Sequence, residues 1–210
     1  MAAAEKKEQS YHHGNLREAL IGAALDLISL KGVKALTLRE IAKRANVSHS
    51  APYRHFKDKE AILFAVAKEG FDMLVRETQK RFEKIPDDPL AQFLESGMAY
   101  IDFAISHSSH FRVMFGLGES TGEIPADLAE SSKQSFMILY ESIVNCQEKN
   151  LVKKGDPLEL SISAWSIVHG FSMLYLEGYI GKKYAEQNDH QLKKNVAMHL
   201  YTGLGIHGDE

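Results

Sequence analysis

Apolar residues in this chain recur at helical spacing, and no stretch shows the convincing two-residue alternation of a strand. Leu16, Leu20, Ala23, Ala24 and Leu27 line one face of a first helix, with Asn15 and Glu18 placed to cap it and Gly32 to stop it. Thr37 and Glu40 have the spacing of a capping box, and Leu38, Ile41, Ala42 and Ala45 give the helix after it one apolar face. Asn46 tolerates positive φ and marks a corner, and Ser48 is placed to cap a third helix. Val47, Ala51 and Phe56 would hold that helix inward, leaving His49, Ser50, Arg54 and His55 facing out. This pattern predicts a helix-turn-helix whose second helix enters a major groove.

Asp58 is placed to cap a long helix over 58–83, apolar on more than one side through Ile62, Leu63, Val66, Phe71, Met73 and Leu74. The Pro86-Asp87-Asp88-Pro89 run breaks the pattern, and Leu90, Phe93, Leu94, Gly97, Met98, Ile101 and Ile105 form the next amphipathic stripe. Gly116 to Pro125 reads as a loop. Phe136, Leu139, Tyr140, Ile143 and Val144 line a further helix, closed by the residues 153–157. Ala164, Ile167, Val168, Phe171, Leu174 and Tyr175 mark another, and Leu192, Val196, Leu200 and Leu204 the last. The expected fold class is all-α, with about nine helices arranged as a three-helix head (11–60) and a helical bundle (61–210). Helix 58–83 links the two, and residues 1–10 form a disordered leader.

Overall charge argues against a bulk polyanion binder, since the formal net charge is -3. Its distribution matters more. Residues 31–60 hold eight basic and three acidic side chains, a local +5, so the remaining 180 residues carry -8. A basic head on an acidic body aims attraction for phosphate at one surface. Hydrophobic content of 44% and charged content of 25% are ordinary for a soluble globular protein. No secretory signal follows the opening residues, the most apolar stretch (164–176) is too short to span a bilayer, and a single cysteine, Cys146, forms no internal disulfide. A cytoplasmic protein without membrane contact is expected.

Tyr11-His12-His13-Gly14-Asn15-Leu16-Arg17, then LTLREIAKRANVS (36–48) and APYRHFKDKEAIL (51–63), resemble the tetracycline-repressor (TetR/AcrR) transcriptional regulators over about 50 of the 210 residues. Trp165-Ser166-Ile167-Val168-His169-Gly170 resembles the Trp-His-Gly segment of one subgroup of C-terminal domains in that family. Asn46 stands where many members have Gly, and His49 occupies a variable position, so the DNA sequence read does not carry over. The resemblance implies a ligand-responsive homodimer on a palindromic operator in double-stranded DNA, with a C-terminal domain for ligand binding and dimerisation. Its usual sign is repression relieved by ligand. A helical carrier or an activator is the alternative.

Thr37, Tyr53, His55 and Lys59 are the candidates for phosphate oxygens, and Arg39, His49, Ser50, Ala51 and Arg54 for base edges. Dimers of this kind place two readers about 34–36 Å apart or somewhat more. The last two helices, 157–178 and 189–206, carry Gly170, Gly178, Gly203 and Gly205 among apolar residues and suit a symmetric four-helix interface, while also closing the monomer's own core. Aromatic residues are dense in the body. Phe103, Phe115, Tyr140, Trp165 and His169 are candidates for contact with a small hydrophobic or aromatic effector, although residue identity does not separate pocket from core. No metal or cofactor is expected. His107 with His110, or His169 with Glu177, is the nearest approach to a metal pair, and no nucleophile motif or phosphate loop occurs. The chain is therefore not expected to be an enzyme.

Overall fold

A computed structural model describes residues 16–117, 122–180 and 182–204. The leader and its Tyr11-His12-His13 motif, Asn15, and Gly205 lie outside them. The described residues form eight α-helices and one 3-10 turn, and fall into two compact units that divide between Ile62 and Leu63.

The first unit holds α1 (Leu16–Lys31), α2 (Leu38–Arg44), the 3-10 turn Pro52–Arg54 and the start of α3 (Lys59–Phe82). α1 ends as expected at Gly32, whose φ of +76° lets its N–H return to the Ile28 carbonyl. α1 packs on α2, and Leu20, Ala24, Ile41, Ala42 and Ile62 are fully buried in this unit. The Thr37 hydroxyl accepts the Glu40 N–H at 3.2 Å, so the N-cap forms. The Glu40 carboxylate, however, pairs with Lys31 at 2.9 Å and accepts from the Thr37 hydroxyl at 3.3 Å. Asn46 makes the corner with φ 55°. The Asp58 carboxylate accepts the Ala61 N–H at 2.8 Å and opens α3.

The predicted third head helix is corrected to one 3-10 turn. Pro52 has no N–H to return to the Ser48 carbonyl, so an α-helical ladder is interrupted at its second turn. The segment closes by three-residue steps instead: Ala51 N–H to Ser48 O, Arg54 N–H to Ala51 O and His55 N–H to Pro52 O. The Ser48 carbonyl thus does the capping; its hydroxyl meets the Ser50 hydroxyl at 3.2 Å.

The second unit holds the rest of α3, α4 (Pro89–Ser106), α5 (Ser108–Gly116), α6 (Ala126–Glu148), α7 (Pro157–Leu176) and α8 (Lys182–Leu204). α4 is its centre, packing on α5, α6, α7 and α8. Phe93, Ile101, Phe103 and Ala104 on it are fully buried, which accounts for its dense apolar stripe. Asp88 and Asp156 cap α4 and α7, each before a proline at the first helical turn. α5 was not marked by the sequence pattern. α8 begins at Lys182, ahead of the expected residue 189.

Candidate nucleic-acid interface and ligand cavity

In the head, residues 49–56 turn outward and inward in short blocks. Tyr53 is 61% exposed, and His49, Ser50, Arg54 and His55 are also exposed. Ala51, Pro52 and Phe56 are buried, the Phe56 ring lying under the Arg17 guanidinium at 5.5 Å. Ala51, expected at a base edge, is only 9% exposed, which leaves little of its surface for a thymine methyl. Arg39 is exposed. Lys59, half-buried at the start of α3, donates to the Lys34 carbonyl at 3.2 Å and keeps two further N–H groups. The Thr37 hydroxyl is committed to the cap in both directions. Lys31 and Arg44 pair with Glu40 and Asp26, which offsets part of the local positive charge. Lys31 holds the Glu40 carboxyl below its ordinary range, first by its hydrogen bond and then by its charge.

In the second unit, a cavity of about 100 Å³ is walled by Phe71, Leu74 and Thr78 of α3, Ser96, Gly97 and Tyr100 of α4, Phe115 of α5, and residues of α6 and α7 that include Ser132, Ser135, Phe136 and Trp165. A wider cleft of about 580 Å³ shares Phe71, Phe115 and Ser132 and adds Lys133. Trp165 donates from Nε1 to the Tyr100 hydroxyl oxygen at 3.0 Å, and that oxygen lies 2.7 Å from His169 Nδ1. Phe115 packs among Phe71, Tyr100, Phe111, Trp165 and His169, with ring centroids 4.8 to 6.1 Å away. Burial pushes the Tyr100 pKa well above the ordinary phenol range and the His169 pKa below that of free imidazole, so both are neutral near pH 7.

Of the five residues expected to contact an effector, Phe115 and Trp165 line the inner cavity. His169 stands behind the wall, holding Tyr100. Phe103, fully buried beside the His107 ring at 4.9 Å, and Tyr140, half-buried on α6, line neither the cavity nor the cleft. Sequence reasoning missed Phe71, Ser132 and Ser135 as lining residues. Small polar residues at positions that continue the Phe136–Leu139 stripe were the available clue. Among the described residues, no group of three or more His, Cys, Asp or Glu side chains is placed to hold a metal. His107 pairs with Glu77 at 3.1 Å, and Glu177 with Arg112. No helix among those residues is long and apolar enough to cross a membrane.

Residues 20–66 match the profile of the tetR family of bacterial regulatory proteins, and residues 93–198 that of the tetracyclin repressor-like C-terminal domain. The chain belongs to the tetR family. An uncharacterized HTH-type transcriptional regulator, YerO of Bacillus subtilis (strain 168), is 26% identical over 162 residues, 74% of this chain; those residues span 54% of YerO, so the chain covers about half of that relative's length. The HTH-type transcriptional regulator AcrR of Shigella flexneri is 27% identical over 168 residues, 78% of this chain and 74% of that one. A solved protein of unknown function from Rhodococcus sp. RHA1 superposes with a TM-score of 0.79 at 28% identity, covering 95% of this chain and all of its own. The two profile matches agree with the all-α architecture and with the helix-turn-helix head.

Proposed function

We propose that this chain is a homodimeric repressor that binds a palindromic DNA operator and leaves it when a small hydrophobic or aromatic effector enters the second unit. The observation that carries the reading is the outward set Tyr53, Arg54, His49 and His55, mounted on a turn held by the buried Ala51, Pro52 and Phe56 and flanked by Lys59 and Arg39. Tyr53 and Lys59 suit phosphate oxygens, and Arg54 a base edge. Two-fold pairing is supported by α7, where Leu158, Ile162, Ile167 and Leu174 are 44 to 50% exposed and no described atom lies within 4 Å of a Cβ built at Gly170. These side chains flank the outer side of α7 with Gly170 between them, and such a surface suits a second copy. α3 carries the cavity residues Phe71, Leu74 and Thr78 and, at its other end, Lys59, so effector occupancy biases the helix that bears a DNA-contact residue. The ligand acts in proportion to its differential affinity for the two forms.

Selection of bound fragments from sheared genomic DNA tests the reading. A palindromic site with salt-dependent affinity is expected. Tyr53→Ala and Lys59→Ala should weaken binding to every sequence, and Arg54→Ala should relax base preference by about 1–3 kcal/mol at one position. Unchanged affinity and preference in all three would remove the head from the interface.

A further inference from the structure

The wall of the inner cavity carries no charged side chain: none of its lining residues is Asp, Glu, Lys, Arg or His, and its one titratable group, Tyr100, is protonated. A charged group entering it would lose hydration and meet no opposite charge in that wall, Lys133 lining only the wider cleft beside it. The polar atoms that remain are directional. Trp165 Nε1–H can only donate, so the Tyr100 oxygen accepts from it. Assigned the tautomer with its proton on Nε2, neutral His169 accepts at Nδ1, and the 2.7 Å contact then takes the Tyr100 hydrogen. What Tyr100 has left is an oxygen lone pair. Thr78 and Ser96 are in the same condition, their hydroxyls donating to the Leu74 and Phe93 carbonyls at 2.9 and 2.7 Å. Three of the five hydroxyls in the wall are thus spent as donors, with Ser132 and Ser135 left to turn either way. The volume, about 100 Å³, is of the order of the roughly 150 Å³ engineered cavity that takes up benzene.

We infer that the cavity selects an uncharged, largely apolar compound of about one aromatic ring that carries a hydrogen-bond donor, received at the Tyr100 oxygen; this rests on the effector reading above. Trp165 is the chain's single tryptophan and stands in the wall, so its fluorescence reports occupancy without DNA. The full chain would be titrated with phenol, fluorobenzene (nearly the same shape, no donor), benzoate and benzylammonium. Phenol should bind about fivefold tighter than fluorobenzene, the scale of one net hydrogen bond. The two ions should bind more than a hundredfold more weakly than phenol. Tyr100→Phe should bring phenol down to the level of fluorobenzene. If that variant does not fold, the phenol–fluorobenzene contrast in the unaltered chain still decides. Comparable binding of either ion, equal binding of phenol and fluorobenzene, or no quenching by any of the four overturns the inference. Release from selected DNA is measured separately: phenol that quenches Trp165 without releasing DNA sinks the regulatory reading and leaves the ligand class standing.

Discussion

The Lys193 ammonium of α8 lies 3.0 Å from one carboxylate oxygen of Asp102 on α4, and the Arg81 guanidinium of α3 lies 2.8 Å from the other. One carboxylate thereby joins three helices of the second unit. Burial disfavours its charge, but hydrogen bonds from Arg81 and then Lys193 outweigh that and hold its pKa below the ordinary 3.8. Asp102→Ala leaves Arg81 with Glu95 at 3.3 Å and takes from Lys193, only 7% exposed, its carboxylate contact at 3.0 Å. A loss of about 2–3 kcal/mol in urea unfolding is expected. Because the folded carboxyl is the stronger acid, its contribution is complete above pH 3.8 and disappears as pH falls through the folded value. Asp102→Asn should lose that part of the acid-unfolding curve, and an unaltered curve would show that the carboxylate joins nothing.

Gly70 and Gly22 should respond to alanine with opposite signs. A Cβ at Gly70 would lie 2.5 Å from Met114 Sδ and 3.2 Å from His110 Cβ. The Met114 tip can swing aside, but His110 Cβ is fixed to the α5 backbone, so α3 and α5 must give by a few tenths of an ångström. Gly70→Ala should cost about 1–3 kcal/mol. At Gly22, mid-α1, nothing lies within 4 Å of the added methyl. Gly22→Ala should stabilise by about 0.5–1 kcal/mol through helix propensity. Melting temperatures of the two variants check both signs.

Stability should fall between pH 7.5 and 5.5. His110 is 8% exposed, and its Nε2 lies 3.7 Å from Glu69, beyond hydrogen-bond reach. Burial lowers its pKa; Glu69 opposes this by its charge, and His107 adds to it. His169 is lowered by burial alone. Below 6.5 the unfolded chain therefore binds more protons than the folded one, and stability is lost as pH drops toward the folded values. His110→Gln should flatten the calorimetric profile over this range; profiles that stay parallel would exclude His110 as a source.

Cys146 should be inert in the folded chain. It is fully buried, its thiol donates to the Pro89 carbonyl at 3.3 Å, and its pKa is pushed up to about 11 by burial and then by the nearby Asp88 charge. A thiol reagent should find no reactive group at pH 8 and one in denaturant. Reaction at native conditions faster than global unfolding would place the thiol nearer the surface.

Helix existence was legible because it rests on local signs: Thr37, Asn46, Asp58 and Gly32 do what their chemistry predicts. α5 was not, because Arg112 and Phe111 within it answer to partners outside it, Glu177 just past the end of α7 and Tyr100 on α4. Pro52 was overlooked as a helix breaker, although its missing N–H is written in the sequence. Phe103 and Tyr140 show the limit of residue identity: an aromatic on an amphipathic helix is assigned to core or cavity by its angle around the axis and by what faces it, and both are tertiary facts. The Tyr100–His169 contact, between residues 69 apart, is of the same kind.

The division of labour along 49–56 has an evolutionary corollary. Ala51, Pro52 and Phe56 are buried, whereas His49, Ser50 and Arg54 are exposed. On the proposed reading, replacing His49, Ser50 or Arg54 would change which bases are preferred at little thermodynamic penalty, so a lineage could rekey this protein to new sites one substitution at a time while the lock's casing stays as it is.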